Sequence, residues 1–600
     1  MLEKLLQYYE QELGLLGDLL DDFGRKYPKA AERLSISGGH SEDAHVQRLM
    51  QAFSLLAAHA RVKLDDGAPK FSEALLDVLH PHYLHPFPAS SIVCIELNEP
   101  PSAPLVIKRG TLLTSLDDTL RFRTVYDITA APIRIADVRV SSSMVAPGRA
   151  GLPPDTTLIV SITFEPTGTA ALSVAMPAVM RVYLAGQPQT VAALADTMLL
   201  RTRQAFVEAD SAGHWTSLER IPLTAAGFAQ NDALLPNESP SGSFVRPLLE
   251  YMAFPQKFDF IDFDAAALLR AARTHEAKRI TLHLAVALHP DSRAASALAD
   301  LSPHNFRLFC APVVNLFERA DVKARRGGLI LDYPVVPSSD PEIQETYAIR
   351  CVRDAADKSV IPHYNALSHA TATARAAGRY WLRRHDEYRA RHHPGYETSL
   401  ILLRENGQTA EQWPEQIEID VTCTNRDFPA RMEIGGPPGD LRDEKGAAGS
   451  RITLLLQPSH TFRPVNEEDA RMRIVALTPP NPTQLGTEGW KEFRRLLRQC
   501  APSGAQVQHV DTVSFVRKKW IQRMFPGRPN ASIMSGLEIT LSLDEQAFSG
   551  HSMVAFIGVL DRYFARYVPE NSFTQLVVLS KMNGSEIRRC PFRAGRSQLI

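Results

Sequence analysis

Apolar residues open the chain at a heptad spacing. Leu2, Leu6, Tyr9, Leu13, Leu16, Leu20, Phe23 and Tyr27 follow one another at intervals of 4, 3, 4, 3, 4, 3 and 4. The spacing predicts one amphipathic helix from the first turn to Pro28, with a single a/d seam. A seam of this length does not stay in water and has to be covered by another helix. The cover is either a helix of the same domain or one from another chain, and periodicity leaves both open. Past the turn marked by Gly38-Gly39, a second helix is expected, with Asp43 as candidate N-cap and Val46, Leu49, Phe53, Leu56 and Ala60 on one stripe. A third, shorter helix is expected from Glu73 to Leu79, ending before Pro81, and the stretch from Pro81 to Pro88 is a proline-rich exit.

From Ser90 onward the period changes to two. Leu158, Val160, Ile162 and Phe164 alternate with Ile159, Ser161 and Thr163. Ile280, Leu282, Leu284, Val286 and Leu288 alternate with Thr281, His283, Ala285 and Ala287. The same holds for Ile417–Cys423 and Leu537–Leu543. These read as half-buried strands with one wet face. No regular alternation of strand and helix connects them, so antiparallel or mixed sheets are expected rather than a doubly wound fold. A late helix carries Met553, Phe556, Ile557, Leu560, Phe564 and Tyr567, with Arg562 and Arg566 on another side. The fold class is therefore α+β and multidomain. Turn-rich stretches divide it into a helical region at 1–88, β-rich stretches at 89–243 and 244–434, and a mixed C-terminal stretch at 435–600.

Composition narrows the function classes. Lys+Arg 66 against Asp+Glu 67 leaves a net charge of −1 over 600 residues, which gives no whole-chain attraction to nucleic acid or anionic lipid. The six cysteines, Cys94, Cys310, Cys351, Cys423, Cys500 and Cys590, are far apart and form no C-x-x-C, which fits a reducing compartment. Glu3, Lys4, Glu10 and Glu12 interrupt the opening apolar pattern, so it is not read as a signal peptide, and no apolar run is long enough to span a bilayer. The chain is expected in the cytoplasm.

Candidate chemistry is sparse. His80, His82 and His85 lie close together, but no nearby cysteine completes a ligand set and two prolines fix the backbone, so we read them as polar residues at a helix-to-strand handover. Arg379, Arg383, Arg384, Arg389 and Arg391 interleave with Tyr380, Trp381 and Tyr388, while Arg517, Lys518, Lys519, Arg523 and Arg528 surround Trp520. Such clusters stack bases and pair phosphates in nucleic-acid binders, and they are also enriched in protein interfaces. We read both as a solvated face or a protein contact. A carbohydrate- or nucleic-acid-binding module is the alternative. No phosphate-loop, nucleophile-elbow or zinc-protease motif occurs. No catalytic role and no cofactor are assigned.

Several stretches together resemble one family. They are Tyr8-Tyr9-Glu10 with Glu12-Leu13, Tyr27-Pro28, Asp43-Ala44-His45-Val46, Lys63-Leu64-Asp65-Asp66, Pro81-His82-Tyr83-Leu84, Arg109-Gly110-Thr111, Phe122-Arg123-Thr124, Ala253-Phe254-Pro255, Pro312–Phe317, Cys423-Thr424-Asn425-Arg426-Asp427, Val559–Phe564 and Asn571-Ser572-Phe573. Taken in order they resemble the type VI secretion baseplate subunit TssF, the ImpG/VasA family. The chain departs from the family pattern at 486–510, where Trp490 is followed by Phe493, Leu496 and Leu497 among Lys and Arg.

The resemblance implies a structural, non-enzymatic role, similar to a tail-baseplate wedge protein of contractile phages. It implies that two copies join one TssG, that the wedge also carries TssK and TssE, and that wedges surround a spike hub, dock through TssK to an inner-membrane complex and seed a contractile sheath. Contact with the membrane is then indirect only, and no nucleic acid is involved. The expected partner-binding residues are Leu6, Tyr9, Leu13, Leu16, Leu20, Phe23 and Tyr27 of the seam, together with Arg383 and Arg384.

Overall fold

The heptad region folds as expected into a long helix, Leu2–Lys26, followed by a short one, Pro28–Arg33. The second long helix, Ala44–Asp65, packs back on the first. Asp43 caps it: the His45 N–H donates to the Asp43 carboxylate at 2.7 Å. The computed structural model describes residues 2–595 except 34, 38–39, 42, 66–74, 78, 98, 100, 102, 169–170, 237–244, 273–276, 290, 328–331, 365–378, 405–413, 444–449, 465–467, 477–485, 506 and 526–531. The Gly38-Gly39 turn and the start of the third helix lie outside the described residues, although 75–77 and 79 are helical.

Beyond the hairpin the fold is built on sheets, and α+β is the class observed. Six strands, Ser90–Leu97, Leu112–Ser115, Arg121–Thr124, Cys310–Val314, Leu441–Asp443 and Ser450–Leu454, close an antiparallel barrel. Closure removes the sheet edges and encloses Ile92, Phe122, Val313 and Ile452. Beside it stand a five-stranded sheet ordered 216–217, 202–209, 280–286, 158–166, 133–142, and a four-stranded sheet ordered 223–225, 260–264, 179–184, 306–307. Two more antiparallel sheets occupy 317–424. Strand pairing thus crosses residues 243 and 434, because hydrogen bonds between strands are indifferent to sequence distance. The division at 88, 243 and 434 stands as a proposal about chain punctuation, with sheets shared across two of its borders.

Two strands differ from their sequence reading, Ile280–Val286 and Gln416–Thr424, whose Glu418 and Thr422 are buried as well. Ile280–Val286 is buried on both faces, not one. It is the central strand of its sheet, and its polar side is covered by Ala150, Leu152 and Trp215, which pack with Ile159, Phe206 and Ala285. His283 is stacked under Trp215, with ring centroids 3.8 Å apart, and is hydrogen-bonded to Ser161 at 2.8 Å and Glu208 at 3.0 Å. Alternation reports polarity, and a polar face with partners can still be interior.

Among the described residues, the C-terminal part holds the parallel pair of strands. Strands Ser532–Leu543 and Phe573–Ser580 pair in parallel, and helix Met553–Phe564 crosses between them. That helix is nearly all buried, with Met553, Phe556, Leu560 and Phe564 in one core with Trp490, Phe493, Leu496 and Leu497. The segment that departs from the family pattern is therefore core here, and its indole N–H donates to the Val513 carbonyl at 2.9 Å. The helix start is held from far away. Asp196 accepts the Met553 and Val554 N–H groups at 3.1 and 2.9 Å and the Ser552 hydroxyl at 3.0 Å. Arg562 lies over the Phe228 ring at 4.1 Å, and Arg566 is half-buried rather than exposed. Leu560→Ala should cost about 2–5 kcal/mol through the cavity it leaves, read as a lowered urea midpoint. A cost below 1 kcal/mol would place Leu560 at a surface that the lone chain leaves loose.

Candidate partner interface

The hairpin of the two long helices carries the residues expected to bind partners, and the second helix covers only part of the seam. Tyr9, Leu13, Leu16, Leu20 and Phe23 are half-buried, while Leu6 and Tyr27 are exposed. The side chain of Leu2 lies outside the described residues. Phe23 and Tyr27 pack ring to ring at 5.5 Å. One flank of the seam is shielded within the hairpin, and some of its apolar surface is left in water.

The second helix turns a different face inward from the one its pattern predicts. Among its described side chains the buried ones are Met50, Ser54 and Ala58, at i, i+4 and i+8. These small or narrow side chains let the two helices approach closely. The larger stripe points outward: Leu49 is 74% exposed, Phe53 62% and Leu56 70%. At i, i+4 and i+7 they form one row on one helix face. Leu15 and Leu19 of the first helix are exposed as well. Among the described residues, none of the five buried apolar clusters draws a member from 2–65. The hairpin is therefore an apolar surface set outside the cores of the chain. What such a surface does chemically is exclude water against another apolar surface. The exposed Leu49 row was legible in the sequence as a stripe, but its direction was not.

Arg383 and Arg384 part company. Both sit on strand Arg379–His385. Arg384 is exposed, whereas Arg383 is half-buried and donates to the Tyr347 carbonyl at 3.2 Å. Tyr380 and Trp381 are buried, and Arg379 is held by Asp354 at 2.8 Å. Tyr380 and Trp381 thus offer no exposed rings for stacking bases, and the side chains of Tyr388 and Arg391 lie outside the described residues.

The three histidines are interior. His80, His82 and His85 are all buried around the short helix Pro81–Leu84, and among the described residues no group of three or more metal-ligating side chains gathers. Burial, with Arg566 beside His80 and Arg246 beside His82, lowers both to about 3. Burial, with Arg383 next, holds His85 well below its ordinary value. Each must stay neutral to fold, so its stability is intact above pH 6.5 and is lost as pH falls from 6.5 toward 3. Asp196, raised to about 6, and Asp259, raised to about 7, both by burial, bind protons in the native chain and oppose this trend. The clean measurement is a difference between variants. His82→Gln should remove about 2 kcal/mol of the stability change between pH 7 and pH 5, read from urea midpoints. An unchanged difference would mean that water reaches His82.

A family model described as Type VI secretion system, TssF, matches residues 1–597. The chain belongs to the TssF family of type VI secretion. A Pseudomonas aeruginosa relative, type VI secretion system component TssF1, is 29% identical over 627 aligned positions, covering 98% of each chain. This TssF-family chain is also similar to a chain in a cryo-electron microscopy structure of a type VI secretion TssK-TssF-TssG baseplate subcomplex, with a TM-score of 0.71 at 22% identity over 91% of this chain and 98% of that one. A second match is to a chain of the type VI secretion baseplate complex, with a TM-score of 0.57 at 19% identity over 97% and 98%. At these identities the likeness to the solved structures is one of fold. Among the described residues no helix of the TssF-family chain is long and apolar enough to cross a membrane.

Proposed function

We propose that the chain is a structural wedge subunit of a type VI secretion baseplate and is not an enzyme. It assembles with a TssG-like and a TssK-like subunit, as the similar baseplate chains do in their complexes. A TssE-like subunit and a second copy of the chain complete the wedge. The wedges surround the spike hub, sit in the cytoplasm against an inner-membrane complex and seed the contractile sheath. The observation that carries this reading is the Leu49, Phe53 and Leu56 row, a stripe of large apolar side chains on a helix outside the chain's own cores. Such a row is stable in an assembly and costly alone.

The experiment is co-expression with the TssG-like and TssK-like proteins of the same source, followed by native mass spectrometry. A complex containing two copies of this chain per TssG-like subunit is the expected result. A monomer that co-purifies with neither partner overturns the reading.

A further inference from the structure

The second Arg/aromatic cluster lies along one strand, apart from Arg528, which is outside the described residues. Strand Ser514–Phe525 is 12 residues long, lies at the end of its sheet and, among the described residues, pairs only with Ser532–Leu543. Its outer edge therefore offers unpaired backbone N–H and C=O groups to solvent. The register sorts its side chains. Trp520 is opposite Leu537 and Met524 opposite Ile533, so these share the face that carries the C-terminal core nearer the root of the ribbon. There Leu537, Ile539 and Leu541 are buried, but Trp520 is 58% exposed, Met524 69% and Ile533 68%. Beyond Lys518, and interrupted by Gln522, the core face continues outward with Trp520, Met524 and Ile533 exposed.

The other face is basic. Arg517, Lys519 and Arg523 are opposite Thr540, Glu538 and Met534. Glu538 stands 3.1 Å from Arg589 and 3.9 Å from Arg517. Arg523 lies over the Phe592 ring at 6.0 Å. Lys519 and Arg523 have no ion pair among the described residues. One edge strand thus presents an open ladder, an apolar row on one side and uncompensated cations on the other.

We propose that this edge docks an extended protein segment whose side chains alternate acidic and apolar, added as a further strand. A strand added beside 514–525 sends successive side chains to the two faces in turn. Its acidic positions meet Lys519 and Arg523, and its apolar positions cover Trp520, Met524 and Ile533. The ladder supplies affinity that does not depend on sequence, and the two rows supply register and choice of partner. A nucleic-acid strand would use the cations but leave the ladder and Met524 and Ile533 uncovered.

The probe is a capped, fluorescein-labelled (Glu-Val)4 octapeptide, titrated with the full chain and followed by anisotropy. It should bind at least tenfold tighter than (Lys-Val)4, and Lys519→Glu with Arg523→Glu should reverse that order. Trp520→Ser with Met524→Ser should weaken (Glu-Val)4 at least fivefold. N-methylation of alternate amides along one peptide edge should abolish binding, and along the other edge should leave it, because only one edge meets the ladder. All the substituted residues are exposed or lie on the ribbon face, so circular dichroism of each variant should match the parent. Absent binding, equal affinity for both peptides, or binding that survives methylation of either edge overturns the proposal. So does preferential binding of an eight-residue oligothymidylate that the same charge reversal abolishes, which would make the strip a phosphate site.

Discussion

Leu49→Glu with Phe53→Glu should abolish assembly with partner subunits while leaving the isolated chain folded. Both side chains face water in the lone chain, at 74% and 62% exposure, so replacing them removes no internal contact. Burial of each against a partner is worth about 1.5–3 kcal/mol, so the pair forfeits about 3–6 kcal/mol, or roughly a hundred- to ten-thousandfold in Kd. A carboxylate buried at the contact adds a desolvation cost. The control is Leu13→Glu with Leu16→Glu. Those seam residues are half-buried within the hairpin, so this pair should loosen the hairpin itself, with a loss of helical circular dichroism. Co-purification and circular dichroism on both pairs separate the two roles. Undiminished assembly by the Leu49/Phe53 variant would remove this helix face from the interface.

Arg426→Ala should cost about 3–5 kcal/mol of stability. Arg426 lies in the Cys423–Asp427 stretch at a positive φ of 55°, just after strand Gln416–Thr424. Its guanidinium is ion-paired to Glu397 and stands 3.7 Å from Glu345, which Arg463 also meets at 2.6 Å. Both carboxylates are almost fully buried. Burial raises Glu345 above the usual carboxylate range, with Arg463 and then Arg426 opposing it. Without Arg426, Glu397 would be an interior anion lacking its cation. Arg426→Ala combined with Glu397→Gln should therefore recover part of the loss, because the orphaned charge is gone. Urea unfolding of the two variants measures this. Equal stability of the single and double variants would mean that water solvates Glu397 after all.

The same stretch joins the barrel to the neighbouring sheet. Asn315 and Asn425 are fully buried and clasp each other: the Asn315 amide donates to the Asn425 side chain at 2.9 Å, and the Asn425 N–H donates to the Asn315 oxygen at 2.5 Å. Asn315 also donates to the Arg121 carbonyl at 2.6 Å. Three stretches far apart in sequence, Phe122–Thr124, Pro312–Phe317 and Cys423–Asp427, meet at this junction of barrel and sheet. Asn315 and Asn425 are far apart in the sequence, and only folding shows that they satisfy one another.

Periodicity alone determined the two long N-terminal helices, the cap at Asp43, the strands at 158–164, 280–286, 417–423 and 537–543, and the buried stripe of the last helix. These are local matters, since a 3.6 or 2 residue repeat of apolar groups requires a helix or strand with one face out of water. The tertiary structure decided the rest. It closed the barrel from segments 90 to 454, covered the polar side of 280–286, turned Arg383 inward and Leu49, Phe53 and Leu56 outward, and left 514–525 as an edge. None of these is local. Which face of an amphipathic element is buried, and by what, depends on the chain segments that reach it, and those contacts are made across hundreds of residues that no pattern in the sequence spans.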